Sequence, residues 1–232
     1  MRRRARVATN EQRAGAGVRE PPVPRAPDDG AHGRESGAGF VSLLCYAVVL
    51  GLSFQFRYGE GHADRPIPAV LAALLVAFVA YLVAAGKLVR RPTDRGAEPA
   101  RLRHIVGYAV AFRLVLLPSA PVQEIDYFRY LWDGQVLAAG GNPFRYAPAQ
   151  IEQFGPSAPP GSDPAARWDV ANRSETVRTV FDRVHHRDVP TIYPPASQVV
   201  FAAAAVVTPA AASLPTHTLV LKVFLLGFDR SA

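Results

Sequence analysis

Residues 124–148 read EIDYFRYLWDGQVLAAGGNPFRYAP and directly follow an apolar stretch of the chain. Aromatic and aliphatic side chains recur there at the i, i+3, i+4 spacing of one helical face. A second face of the same helix carries Asp126, Arg129 and Asp133. A glycine pair and an Asn-Pro turn follow. The stretch therefore predicts an amphipathic helix over residues 126–139, lying along a membrane surface with its tyrosines and tryptophan at headgroup depth.

The membrane part of that prediction comes from five apolar runs, which cover residues 40–56, 67–89, 105–117, 199–214 and 219–228. A helix needs about 20 apolar residues to cross the hydrocarbon core, and about 17 can suffice. Several such runs in a chain of 232 residues disfavour the alternative of buried helices in a soluble protein. We therefore predict an all-α, polytopic membrane protein with four to five spans, three of them in residues 39–117 and the rest in residues 199–232.

The orientation follows from the basic residues, which give the chain a net charge of +7. They cluster in residues 1–38 and between the second and third runs, and positive charge near span ends stays in the cytoplasm. The N-terminal arm, residues 1–38, is rich in Gly, Pro and Arg and is predicted to be disordered and cytoplasmic. Residues 118–198 then form an extracytoplasmic loop. Because membrane topology accounts for the charge, we expect no nucleic-acid partner.

A second helix is predicted within that loop over residues 172–185. Asn172 and Glu175 have the spacing of a capping box, and an apolar stripe follows, made of Val177, Val180, Phe181 and Val184. Residues 155–164, rich in Pro, Gly and Ser, are predicted to form a linker between the two helices.

Three motifs stand in order along this part of the chain: DYFRYLWDG at 126–134, NPFRY at 142–146 and IYPP at 192–195. Together they resemble the D-x-Y-R-Y-x-W-D-G, N-P-Y/F-x-Y and I-Y-P-P motifs of bacterial GT-C-type glycosyltransferases, most closely a mannosyltransferase-like subgroup. The resemblance covers about residues 105–228. It implies a multi-pass protein of the bacterial inner (cytoplasmic) membrane that acts in the cell envelope.

The resemblance implies transfer of a sugar, mannose by this subgroup, from a polyprenyl-phosphate donor to a hydroxyl of a glycan, lipid or protein acceptor. A hydroxyl is a weak nucleophile, so a carboxylate acts as general base, while arginines can stabilise the departing phosphate. The predicted residues are Asp126 and Glu124 as base, Arg129 and Arg113 at the phosphate, and Tyr130 and Tyr193 at the substrate.

Structural alternatives stand beside each of these roles. Asp126 is also placed to be a helix N-cap, Arg129 to form an ion pair with Asp133 at i+4, and Arg113 to reach toward the outer headgroups. The adjacent histidines, His185 and His186, lack the spacing of metal ligands, so no metal site is predicted. Neither a cofactor nor a need for a divalent metal follows from the residues.

The sequence also departs from the family. Ile125 occupies a position where the family often has an acid, and the chain stops at Ala232 although such enzymes typically have eight or more spans. Two alternatives therefore stand beside an incomplete transferase: an inactive, truncated membrane partner, and a transporter-like helical protein. The second would require paired broken helices at the bilayer midplane, a pattern the sequence does not show.

Overall fold

The structure is a computed structural model that describes residues 29–56, 65–90, 98–122 and 125–229. Within these ranges all regular structure is helical, which confirms the all-α prediction. Residues 1–28, most of the predicted disordered arm, lie outside the described part of the chain. So does Glu124, one of the two candidate bases.

Three helices form the N-terminal part: α1 (Asp29–Ser53), α2 (Ile67–Arg90) and α3 (Glu98–Leu116). Helix α1 begins earlier than the predicted start at residue 39, and it packs against both α2 and α3. Tyr46 of α1 meets Phe112 of α3 with ring centroids 5.0 Å apart. The Ser42 hydroxyl donates to the Ala77 carbonyl of α2 at 3.4 Å. These contacts make α1 the central helix of the three.

Helix α2 is long and apolar enough to cross a membrane. Its 24 residues extend about 36 Å, and its most apolar window has a mean hydropathy of 2.6 with only 11% of that window buried. Leu75 and Tyr81 are each 62% exposed. The core helix of a soluble protein would be mostly buried, so α2 instead presents a bare apolar surface on most sides.

In the described ranges α2 alone meets both criteria of length and hydropathy, so the structure does not establish four to five spans. Shorter apolar helices cover Gly37–Ser53, Pro195–Val207 and Leu214–Gly227. The continuous fourth span predicted over residues 199–214 is wrong. Helix α8 (Pro195–Val207) ends at Thr208, which is extended, and Pro209 follows. A residue before proline is disfavoured in helical geometry, and proline has no N–H to continue the helix. Helix α9 (Leu214–Asp229) then starts anew.

The segment between the apolar helices folds into its own set of short helices: α4 (Tyr127–Ala138), α5 (Pro148–Phe154), α6 (Asp163–Asn172) and α7 (Glu175–Asp182), with a 3-10 turn at Gly155–Ser157. Helix α4 agrees with its predicted bounds to within one residue at each end. It does not present Trp132 to a membrane surface, however. Trp132 is 2% exposed and packs on Phe181 of α7 with ring centroids 4.7 Å apart.

The second predicted helix, residues 172–185, is shorter in the structure, where α7 covers Glu175–Asp182. Asn172 is instead the last residue of α6, a helix that was not predicted and that overlaps the end of the predicted linker. The N-cap of α7 is Ser174, whose side chain accepts a hydrogen bond from the Val177 amide at 3.1 Å. The Asn172 capping box is therefore wrong, because the hydroxyl two residues later takes that role. The predicted apolar stripe is confirmed, since all four of its residues are buried.

Helix α4 and helix α8 lie close together at Gly134. A Cβ atom built at Gly134 would overlap the carbonyl oxygen of Phe201 on α8. The contact is with backbone, which has little room to move aside. The glycine of the DYFRYLWDG motif thus permits the approach of α8 to α4.

We predict that Gly134→Ala lowers the free energy of unfolding by about 1–3 kcal/mol, because the added methyl group forces the two helices apart. Gly86→Ala on α2 is the matched control, since nothing lies within 4 Å of a Cβ there. Thermal unfolding of both variants in detergent micelles measures the difference. Equal stability of the two variants would contradict the close approach of α4 and α8.

Candidate functional site

Asp126 and Tyr193 form the centre of the candidate site. Asp126 occupies the N-cap position of α4, but its side chain makes no capping hydrogen bond to the helix. Its Oδ2 instead accepts from the Tyr193 hydroxyl at 2.5 Å. The first and third motifs are therefore in direct contact, although 67 residues separate these two positions. A plain N-cap role does not account for the orientation of Asp126.

Aromatic rings surround the Tyr193 side chain. The Tyr130 ring stands perpendicular to it at 4.8 Å between centroids, and Phe201 lies 6.2 Å away. Tyr130 in turn stacks on Phe201 at 4.8 Å. Burial raises the pKa of Tyr193 well above its ordinary value, and the hydrogen bond to Asp126 and the neighbouring Tyr130 act in the same direction. Tyr193 therefore remains a neutral phenol that donates to Asp126.

Asp133, seven residues after Asp126, has a different environment. Its side chain is 1% exposed, and its Oδ2 accepts from Gln198 Nε2 at 3.1 Å. The same Gln198 nitrogen donates to Thr191 Oγ1 at 3.1 Å. Burial raises the pKa of Asp133 to about 6, against the lowering effects of Thr191, Gln198 and Arg129. Asp133 thus holds α8 and the segment before it against α4.

Arg129 lies between the two acids on α4 and is buried. Its Nη2 donates to the carbonyl oxygens of His185 at 3.0 Å and His186 at 2.7 Å. Burial lowers the pKa of Arg129, while the charges of Asp133 and Asp126 raise it. The backbone of His186 is left-handed, with φ of 50°, a conformation uncommon for a residue other than glycine. Arg129 thus fixes the turn that follows α7.

The other predicted residues lie elsewhere or in a different setting. Arg113 is exposed on α3 and donates to the Ala109 carbonyl of the same helix at 3.2 Å. The rings of His185 and His186 lie edge to face with centroids 4.1 Å apart, and both residues are exposed. The described ranges contain no group of three His, Cys, Asp or Glu side chains placed to hold a metal ion.

The second motif is held by an arginine that the sequence analysis did not single out. Arg167 of α6 is 3% exposed, donates to the Asn142 carbonyl at 3.1 Å and lies 4.9 Å over the Tyr146 ring. It also pairs with Asp163 one turn earlier in α6 at 2.5 Å. The i, i+4 spacing of Asp163 and Arg167 was a signal for this helix. Gln198 and Thr191 were missed too, although Gln198 is a polar residue within an otherwise apolar run.

A cavity of about 190 Å³ opens beside the first turn of α4. Tyr127, the residue after Asp126, lines it together with Arg183. Most of the other lining is apolar and comes from the ends of three segments: Phe54, Phe56, Leu117, Pro118, Pro121, Leu214, Pro215 and Leu219. The cavity therefore combines apolar walls with one cation, Arg183, and with Tyr127, the residue after the candidate carboxylate.

Comparison with known proteins gives no relative for this chain. No family model, no curated protein and no solved structure matches it.

We predict that Asp133 makes the protein less stable as pH rises. Its folded-state pKa of about 6 exceeds the ordinary 3.8, so the folded protein keeps this proton to higher pH than the unfolded chain. The penalty is absent below pH 3.8 and grows as pH rises to about 6, reaching about 3 kcal/mol at most. Asp133→Asn removes this penalty but keeps an oxygen acceptor for Gln198.

The measurement is the free energy of unfolding of wild type and Asp133→Asn across that pH window in detergent micelles. The variant should gain stability relative to wild type as pH rises. Asp169→Asn, at an exposed position of α6, serves as the control. Parallel stability curves for wild type and Asp133→Asn would contradict a buried, proton-holding Asp133.

Proposed function

We propose that this chain is part of an integral membrane glycosyltransferase of the GT-C type. In this proposal it transfers a sugar, mannose by the subgroup it resembles, from a polyprenyl-phosphate donor to an acceptor hydroxyl in the cell envelope. The observation that carries the proposal is the hydrogen bond between Asp126 and Tyr193. It joins the first and third motifs of the resemblance, and the aromatic rings of Tyr130 and Phe201 lie around this contact.

The membrane setting is supported by exposed apolar surface. Helix α2 leaves most of its leucine, valine and aromatic side chains exposed. A lipid bilayer is the environment that would surround such a helix and keep its apolar surface away from water. Helices α8 and α9 are apolar as well. We place the protein in the bacterial inner membrane as a multi-pass protein with segment 118–198 on the extracytoplasmic side.

The chemistry assigned to Asp126 is that of a general base. The acceptor hydroxyl gives its proton to the Asp126 carboxylate while its oxygen forms a bond to C1 of the sugar. The bond from C1 to the phosphate oxygen breaks, and the polyprenyl phosphate leaves with the electron pair. Since the leaving group is a phosphate, no strong acid is needed to protonate it. Glu124 is retained as the second candidate base.

The arginines divide between binding and support. Arg129 gives two hydrogen bonds to the carbonyl oxygens of His185 and His186, which favours a supporting role near the phosphate over a direct one. Arg183, which lines the apolar cavity beside Tyr127, is better placed to meet a lipid phosphate whose chain enters that cavity. Arg113 stays a candidate for phosphate contact from α3. Guanidinium groups suit this role because they form charge-assisted, often bidentate hydrogen bonds with phosphate.

The experiment is transfer of radiolabelled mannose from polyprenyl-phosphate mannose in membranes that contain the chain, compared with Asp126→Asn. We expect the variant to lose about 100-fold or more in rate, within the range for a general base. Asp169→Asn, exposed and remote from the motifs in sequence, should retain wild-type activity. Transfer by wild type and Asp126→Asn at equal rates would remove Asp126 from the mechanism. Absence of transfer by the wild type would reject the proposed activity of this chain.

A further inference from the structure

Beyond the base itself, the structure shows how the Asp126 carboxylate is held. The proposed reaction requires this carboxylate to lie within about 2.6–3.2 Å of the acceptor hydroxyl, and a misplacement of about 1 Å can cost about 100-fold in rate. A carboxylate at the first turn of a helix can rotate about its side-chain bonds unless a partner fixes it. In this structure Tyr193 donates a hydrogen bond of 2.5 Å to this carboxylate.

We propose that Tyr193 is a positioning residue that holds the Asp126 carboxylate in one orientation, and that Tyr130 in turn holds Tyr193. This inference rests on the proposed function, because the orientation matters only if Asp126 receives the acceptor proton. Tyr193 itself neither gains nor loses a proton in the reaction.

The backbone of Tyr193 is fixed on both sides. Its amide donates to Thr191 Oγ1 at 3.3 Å, and Pro194 and Pro195 follow directly, with Pro195 opening α8. Proline locks φ and restricts the residue before it to extended geometry. Gln198, one turn into α8, is bonded to Asp133 of α4. The phenol therefore approaches Asp126 from a segment that is already attached to the helix bearing Asp126.

The Tyr193 ring is fixed as well. The perpendicular Tyr130 ring at 4.8 Å and the Phe201 ring at 6.2 Å limit its rotation, and edge-to-face contacts of this kind are a preferred arrangement of aromatic pairs. Tyr130 is itself held by stacking on Phe201 at 4.8 Å. The rings of Tyr130 and Phe201 thus hold the Tyr193 phenol where it donates to Asp126.

The chemistry of the hydrogen bond suits a positioning role. A bond of 2.5 Å from a hydroxyl to a carboxylate is as short as charge-assisted bonds of this kind become. Burial and the hydrogen bond to Asp126 keep the pKa of Tyr193 high, so the phenol does not lose the proton that it donates. Tyr193 therefore stays a hydrogen-bond donor to Asp126 at neutral pH.

Tyr193→Phe tests the proposal because it keeps the ring and removes only the hydroxyl. We expect kcat for mannosyl transfer to fall about 10- to 100-fold with KM nearly unchanged, the range for loss of a hydrogen bond to a charged group. Tyr130→Leu, which removes the perpendicular ring, should cost about threefold to tenfold, since it acts one step further from Asp126. Tyr81→Phe, on the exposed face of α2, is the matched control and should transfer at the wild-type rate.

A spectroscopic titration tests the contact without reference to activity. The ionisation of the Tyr193 phenol is followed as the difference in ultraviolet absorbance between the wild type and Tyr193→Phe as pH rises. The same difference is then measured between Asp126→Asn and the double variant Asp126→Asn, Tyr193→Phe. The pKa of Tyr193 should be lower there, because the carboxylate that favours the neutral phenol is gone. Thermal unfolding of each variant shows whether the fold is kept.

The outcomes separate the two proposals. Wild-type transfer together with an unchanged kcat in Tyr193→Phe would overturn the positioning role and leave the proposed function standing. Absence of transfer by the wild type would overturn the proposed function and the positioning role with it. An unchanged pKa of Tyr193 in the Asp126→Asn background would overturn the contact on which the positioning role depends.

Discussion

Two carboxylates of one helix hold a distant segment of the chain, and the candidate site depends on that attachment. Asp126 and Asp133 lie two turns apart on α4, and each accepts a hydrogen bond from residues 191–198. Burying Asp133 is costly unless its oxygens are hydrogen-bonded, and Gln198 supplies that bond. Gly134, next in the chain, lets the backbone of α8 come close enough for Gln198 to reach. The close packing of α8 on α4 and the hydrogen bond between Gln198 and Asp133 thus depend on each other.

Asp126 and Asp133 differ in how deeply they are buried. Asp133 is enclosed by helices, so burial dominates and raises its pKa, which suits a structural group. Asp126 lies at the beginning of α4, is partly exposed and follows directly on the loop after α3. Arg129, between them, is buried near both and donates to two carbonyl oxygens. Two helical turns therefore separate a buried acid that joins α8 to α4 from a partly exposed acid at the beginning of the helix.

Local sequence patterns predicted the bounds of α4 and the buried stripe of α7. The bounds of α4 followed from its aromatic spacing and the glycine pair, and the stripe of α7 followed from the spacing of its valines. The break between α8 and α9 was predictable from Pro209, but the alanine run on either side suggested one continuous span. The partners of Arg129 and Asp133 were not predictable, because they come from residues 56 to 65 positions away. Such pairings depend on how the helices dock, which no local pattern contains.

The central claim is that Asp126 and Tyr193 are energetically coupled. A double-mutant cycle with Asp126→Ala, Tyr193→Phe and the double variant tests it, with the free energy of unfolding in detergent micelles as the measured quantity. If the hydrogen bond exists, the double variant should be more stable than the sum of the single effects predicts, by about 1–3 kcal/mol. Effects that add to within about 0.3 kcal/mol would contradict the contact and the site built on it.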